Sequence, residues 1–290
     1  MRTLLPGKIS TLAILALSLA SCQKAETFLG DYFDKKKDDS KGIIFYALAG
    51  STLDKYSTSN PEKILRSVEI KGLQNNEKIL GLDYRPRTGQ LYGLGSDSRV
   101  YIVNPSTGVA SFAFSLSSSV DGMPVKLSGQ SFGFDFNPQV DRLRIISNTG
   151  QNLRVVPDNA NDVAGKTFVD GSINPQPASV SAVAYDNNFD GTTTTKLYSL
   201  DASSDLLNEI MPPNNGTLAD PFQVKLKLEG AGSFDIAPRN MEVKENIGLA
   251  IFDINKKSTL FMINLDNADT KILAKFNKAV SYSSMAISPE

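Results

Sequence analysis

Gly81-Leu82-Asp83-Tyr84-Arg85-Pro86 decides the fold, because the same pattern returns along the chain. It recurs as Gly133-Phe134-Asp135-Phe136-Asn137-Pro138, as Ser233-Phe234-Asp235-Ile236-Ala237-Pro238 and, more faintly, as Ser284-Met285-Ala286-Ile287-Ser288-Pro289. A degenerate copy, Ala182-Val183-Ala184-Tyr185-Asp186-Asn187, fills the gap. Measured at Asp83, Asp135, Ala184, Asp235 and Ala286, the spacings are 52, 49, 51 and 51 residues. A constant interval near fifty marks a repeat architecture rather than a chance recurrence.

Within each interval the order of segments is also constant. A second apolar run follows the first: Leu91–Leu94, Leu143–Ile146, Leu197–Leu200 and Leu249–Phe252. A third reads Val100–Val103, Leu153–Val156, Leu206–Ile210 and Leu260–Ile263, and polar turns then lead to a fourth, such as Ala110–Phe114 or Lys271–Phe276. Runs of four to six residues rich in β-branched and aromatic side chains, bounded by Gly, Pro, Asn and Asp, read as strands. Four short antiparallel strands per repeat form the blade of a β-propeller. The first repeat lacks its opening strand, since Ile43–Leu48 matches the second position and Thr52–Tyr56 the third, while Ser284–Pro289 at the other end is an opening strand alone. Joined, they complete a fifth blade and hide the edges that a linear array would expose. The expected fold is therefore all-β, a five-bladed propeller closed by its own termini, with Met285 and Ile287 beside the strand near Phe45. A six- or seven-bladed ring needs repeats that the sequence does not contain, and a β-sandwich does not explain the interval.

The stretches Gly81–Leu94 and Gly133–Arg154, above all Asp141-Arg142-Leu143-Arg144 through Gly150-Gln151-Asn152-Leu153-Arg154, resemble the bacterial domain-of-unknown-function 4394 family over residues 42–288. The resemblance implies a secreted or lipid-anchored domain without an agreed activity. The degenerate repeat at Ala182 and the acidic Asp186 and Asp190 depart from that pattern.

Composition removes several kinds of chemistry. The 290 residues include no His, no Trp and one Cys, with 30 Lys+Arg against 31 Asp+Glu. Without His there is no Ser-His-Asp or Cys-His nucleophile and no imidazole ligand for a metal. Near-neutral charge argues against a nucleic-acid partner, which favours a basic stripe. Arg2 and Lys8 precede a short apolar run, Ile9–Ala20, which ends in Leu19-Ala20-Ser21-Cys22. This is the layout of an export signal whose lipobox presents Cys22 for lipidation. The expected organisation is a signal peptide over residues 1–21, a polar tether over 22–41 and the propeller over 42–290. Gln23 after the lipidated Cys favours the outer membrane, as a periplasmic or surface-exposed monomer. Removal of the signal leaves 28 Lys+Arg against 31 Asp+Glu, so attachment would come from acyl chains rather than a polybasic surface.

Three groups are candidate sites. Asp83, Asp135 and Asp235 share one position on the innermost strand, where converging carboxylates can hold a cation or act as acid and base on a sugar. Their plainer role is to accept hydrogen bonds from a neighbouring blade. If Pro138–Asp141 is a four-residue hairpin loop, Asp135 faces Arg144 and Asn137 faces Arg142, which favours a structural ion pair. Arg142, Arg144, Asn148, Gln151, Asn152 and Arg154 form the densest polar cluster, able to fork onto an anionic or sugar ligand or to fix one blade to the next. Asp186, Asn188 and Asp190, followed by Gly191, match the first half of a calcium loop, but its twelfth position is Leu197. Calcium is thus the one cofactor considered. No catalytic constellation is assembled, and the expected function is a lipid-anchored binding module for an envelope protein or glycan. The rival is a hydrolase of a polysaccharide or lactone that uses paired carboxylates.

Overall fold

In the computed structural model, which describes residues 42–158, 162–238, 247–276 and 281–289, the chain is built of strands alone, apart from two single-turn 3-10 helices. The expected signal, Cys22 and the tether lie outside the described residues. In chain order the strands are β1 (Ile44–Ala49), β2 (Thr52–Ser57), β3 (Arg66–Glu69), β4 (Ile79–Arg85), β5 (Gln90–Gly95), β6 (Arg99–Val103), β7 (Ala110–Ser115), β8 (Ser117–Ser118), β9 (Phe132–Asn137), β10 (Arg142–Ser147), β11 (Asn152–Val155), β12 (Lys166–Val169), β13 (Val180–Tyr185), β14 (Leu197–Asp201), β15 (Leu206–Ile210), β16 (Leu218–Gln223), β17 (Glu229–Ile236), β18 (Gly248–Ile254), β19 (Lys257–Ile263), β20 (Thr270–Lys275) and β21 (Ser284–Ile287). They form five antiparallel sheets: β4-β5-β6-β7, β9-β10-β11-β12, β13-β14-β15-β16, β17-β18-β19-β20 and β21-β1-β2-β3. These are blades one to five of a β-propeller. One detail departs from four strands per blade: β8 adds to β12 in parallel at the outer edge of blade two.

The terminal strand closes the ring. Phe45 lies opposite Ile287, and Ala47 opposite Met285, in an antiparallel pair. The inner strands touch in cyclic order, β4 to β9 to β13 to β17 to β21 and back to β4. Burial follows from this geometry. An inner strand is covered on both faces by its neighbours, so β13 is buried at every residue, whereas the outer strand β16 is exposed along its second half. The seam at blade five is packed with rings, Tyr56 stacking on Phe45 at 5.4 Å and Phe276 meeting Tyr282 at 5.0 Å. Its buried hydroxyls are satisfied in series: Tyr282 donates to Asp54 at 2.9 Å and bonds the Tyr56 hydroxyl at 2.7 Å.

The opening glycine of the repeat has a steric cause. A Cβ on Gly81 would meet Cβ of Phe134 at 2.6 Å, and one on Gly133 would meet the backbone N of Val183 at 2.7 Å. Both neighbours belong to the inner strand of the next blade, so the inner strands approach each other where there is no side chain.

Candidate functional site

Equivalent positions on the inner strands come to one level around the ring, which is why three residues about fifty apart in sequence meet. Asp83, Asp135 and Asp235 are 1, 1 and 2% exposed, and one carboxylate oxygen of each lies within 4.8 Å of the others. Ala184 and Ala286 hold the two remaining places. Every one of these aspartates reaches forward by one blade. Asp83 Oδ2 accepts the Phe136 N–H at 2.8 Å, Asp135 Oδ1 the Tyr185 N–H at 3.0 Å and Asp235 Oδ2 the Ile287 N–H at 2.6 Å. The donor in each case is one residue past the equivalent position of the next repeat. Asp235 also accepts its neighbour's N–H, from Ile236 at 2.6 Å.

These bonds do not neutralise the cluster. Burial first, then the charge on Asp235, holds the Asp83 carboxyl well above the ordinary range, against weaker lowering by the Phe136 and Tyr84 N–H groups. Burial, then Asp83 and Asp235, does the same to Asp135. Burial pushes Asp235 up to about 7, against the Ile287 and Ile236 donors. Two full charges at that 4.8 Å limit repel by about 3 kcal/mol at an effective dielectric near 20. Asp83 Oδ1 is buried without a hydrogen-bond partner among the described residues.

The polar cluster of blade two divides. Arg142, Arg144 and Arg154 line one cavity of about 470 Å³ together with Asn137, Gln139, Tyr185 and Asn214. It opens between blades two and three, on the side of the ring that carries the β9–β10 and β13–β14 hairpins. Arg144 is buried and bonds Asn152 at 2.8 Å and Asn214 at 2.8 Å, and Asp170 pairs with it at 2.8 Å and with Arg154 at 3.0 Å. Arg142 donates only to the carbonyls of Val140 and Asp141 and makes no salt bridge among the described residues. Asn152 sits behind Arg144, bonding the carbonyls of Gly171 and Pro213. Asn148 and Gln151 lie apart, at the other end of the blade, where they hold the 126–131 loop through Ser128, Gln130 and Lys126. The hairpin loop and the register are those expected, with Asp135 opposite Arg144 and Asn137 opposite Arg142. The expected ion pair is not formed, however, because Asp135 is turned to the Tyr185 N–H and Arg144 to Asp170.

Among known proteins, one family model matches residues 52–286, that of the "Domain of unknown function (DUF4394)". The chain belongs to this family.

No curated protein matches the DUF4394 chain. Two solved structures show a likeness to it: "Crystal structure of Nidogen/Laminin Complex", at 9% identity and a TM-score of 0.44, covering 85% of this chain and 98% of that one, and "Structure of Dos1 propeller", at 11% and 0.42, covering 80% and 62%. These likenesses concern shape alone.

In the DUF4394 domain the 186–191 loop is a hairpin connection. Asp186 Oδ1 accepts the Lys196 N–H at 2.7 Å, which closes the turn, Asn188 is buried and Asp190 is exposed. The residue that sequence reasoning missed is Arg85. Its buried guanidinium takes both oxygens of Asp141 at 2.7 and 2.6 Å, Asp158 at 2.5 Å and the Tyr92 hydroxyl at 3.3 Å, fastening blade one to the first hairpin of blade two. The available signal was an arginine directly after the repeat aspartate and aromatic, where the next copy has Asn137.

Proposed function

We propose that this domain is a binding module of the bacterial envelope, held there by lipid on Cys22, and that it takes an acidic glycan in the cavity floored by Arg142, Arg144 and Arg154. The observation that carries the reading is the charge of that lining. Among the described residues, three arginines and no acidic residue line the cavity, and Asp170 behind them is shared by two of the three. Guanidinium forks match carboxylate geometry, and Gln139, Asn137 and Asn214 add the neutral donors and acceptors that sugar hydroxyls need. Of two other cavities between blades, that of about 530 Å³ is lined by Glu209, Asp220 and Asp266 against Lys196, and that of about 600 Å³ has no charged side chain. Neither favours an anion.

The hydrolase reading has less support. A general acid and a nucleophile must touch the glycosidic oxygen, the ring or an attacking water. Asp83 and Asp135 are instead enclosed, each with one carboxylate oxygen held by a backbone N–H of the following blade.

Calorimetric titration of the purified full chain with oligogalacturonate, and with the uncharged oligogalactose of equal length, tests the proposal. Saturable, salt-sensitive binding of the acidic ligand alone, weakened at least tenfold by Arg142→Ala, is the expected result. Equal binding of both sugars, or none of either, would overturn it.

A further inference from the structure

A second site, independent of the arginine cavity, lies where the inner strands meet. We propose that Asp83, Asp135 and Asp235 bind a single divalent cation, calcium, and that this ion locks blades one, two and four around a common point.

Three observations carry this. The first is convergence: one carboxylate oxygen from each residue lies within 4.8 Å of the other two. Two oxygens that share a calcium at 2.3–2.6 Å stand up to about 5 Å apart and three evenly placed ones up to about 4.5 Å, so a cluster within 4.8 Å closes onto one ion with side-chain shifts of a few tenths of an ångström and no movement of a strand. The second is an orphaned oxygen on one of the three carboxylates. Asp83 is 1% exposed, and among the described residues its Oδ1 has no hydrogen-bond partner while its Oδ2 is fixed by the Phe136 N–H. Buried polar atoms are almost always satisfied, and an exception inside a cluster of like groups calls for a bound partner such as an ion. The third is charge: none of the three carboxylates is in salt-bridge contact with an arginine or lysine among the described residues. The donors are oxygen only, with no His or Cys on the propeller, which selects a hard cation over zinc or copper. The backbone donors already described hold each carboxylate in place, as the outer hydrogen bonds of a metal site do. Protein ligands number three, so water completes the shell, and affinity should be moderate rather than that of an all-protein cage.

The 186–191 hairpin is the alternative seat for calcium, and the test separates the two. The full chain, stripped with EDTA and exchanged into chelator-free buffer, is titrated with calcium chloride by calorimetry, and its unfolding midpoint is followed in parallel. One ion per chain is expected, with a rise in midpoint that grows with calcium concentration. Asp83→Asn keeps an acceptor for the Phe136 N–H and removes the charge, and it is expected to weaken calcium at least tenfold. Asp190→Asn is expected to change neither stoichiometry nor affinity, and this second variant decides the matter should Asp83→Asn fail to fold. Absence of calcium binding to the wild-type chain, unchanged affinity in a folded Asp83→Asn variant, or loss of the ion in Asp190→Asn would each overturn the proposal. Oligogalacturonate binding has no part in these outcomes, so the failure of either site leaves the other standing.

Discussion

Asp135 sits on the inner strand of blade two, yet its Oδ1 accepts the N–H of Tyr185, fifty residues on in blade three, at 3.0 Å. The same step joins Asp83 to Phe136 and Asp235 to Ile287. The aspartate of the repeat is thus a connector between blades before it is anything else, and its substitution separates the two roles. In calcium-free buffer Asp135→Ala strands a buried N–H and is expected to lose about 1–3 kcal/mol. Asp135→Asn keeps an acceptor and loses a repelled charge, so it is expected to lose less. Urea titration followed by circular dichroism checks the order of the two.

Arg85 and Asp141 form the most buried salt link between successive blades among the described residues. Arg85→Met leaves Asp141 with only the partly exposed Arg87 at 3.3 Å, and a loss of about 3–5 kcal/mol is expected from breaking such a buried pair. Asp141→Asn alone is expected to cost less, because Arg85 keeps Asp158 at 2.5 Å, and the double variant less than the sum of the two. Additive losses in a double-mutant cycle would show that the pair is not coupled.

Gly133→Ala places a methyl group 2.7 Å from the backbone N of Val183, an atom held in its own sheet. Overpacking of this kind costs about 1–3 kcal/mol. Gly89→Ala provides the contrast, since nothing lies within 4 Å of its added Cβ and only the positive φ of 66° resists it. Thermal melts of both variants give the comparison.

The pH dependence of the metal-free chain follows from Asp235. Facing Asp83 and Asp135, and bonded by the Ile236 and Ile287 N–H groups, its carboxyl is pushed by burial from the ordinary 3.8 up to about 7. A raised acid means that the folded state holds the proton more tightly than the unfolded state. Its contribution to stability is complete below about 4 and is lost as pH rises through about 7. In EDTA, wild type is expected to lose more stability than Asp235→Asn between pH 5 and pH 8. Parallel pH profiles of the urea midpoint would contradict this.

Much of this architecture is legible before any coordinates. The interval between copies of the signature, the four runs within each, the split blade that pairs Phe45 with Ile287, and the Pro138–Asp141 loop are all local or periodic features. They are set by alternation and turn chemistry, which act between residues close along the chain or equivalent in the repeat. The meeting of Asp83, Asp135 and Asp235 is legible for the same reason, as a consequence of equivalence.

What the sequence determined, then, is everything that repeats: the strand order, the number of blades, the closure and the level at which the acids stand. The tertiary structure alone decided the partners: Asp170 rather than Asp135 for Arg144, Asp141 and Asp158 for Arg85, and the separation of Asn148 and Gln151 from the arginine cavity. The physical reason is that strand register fixes which residues lie side by side within a sheet. The direction a long, charged side chain takes is set by connecting loops as well as by the facing blade, and those surfaces exist only once the sheets have packed.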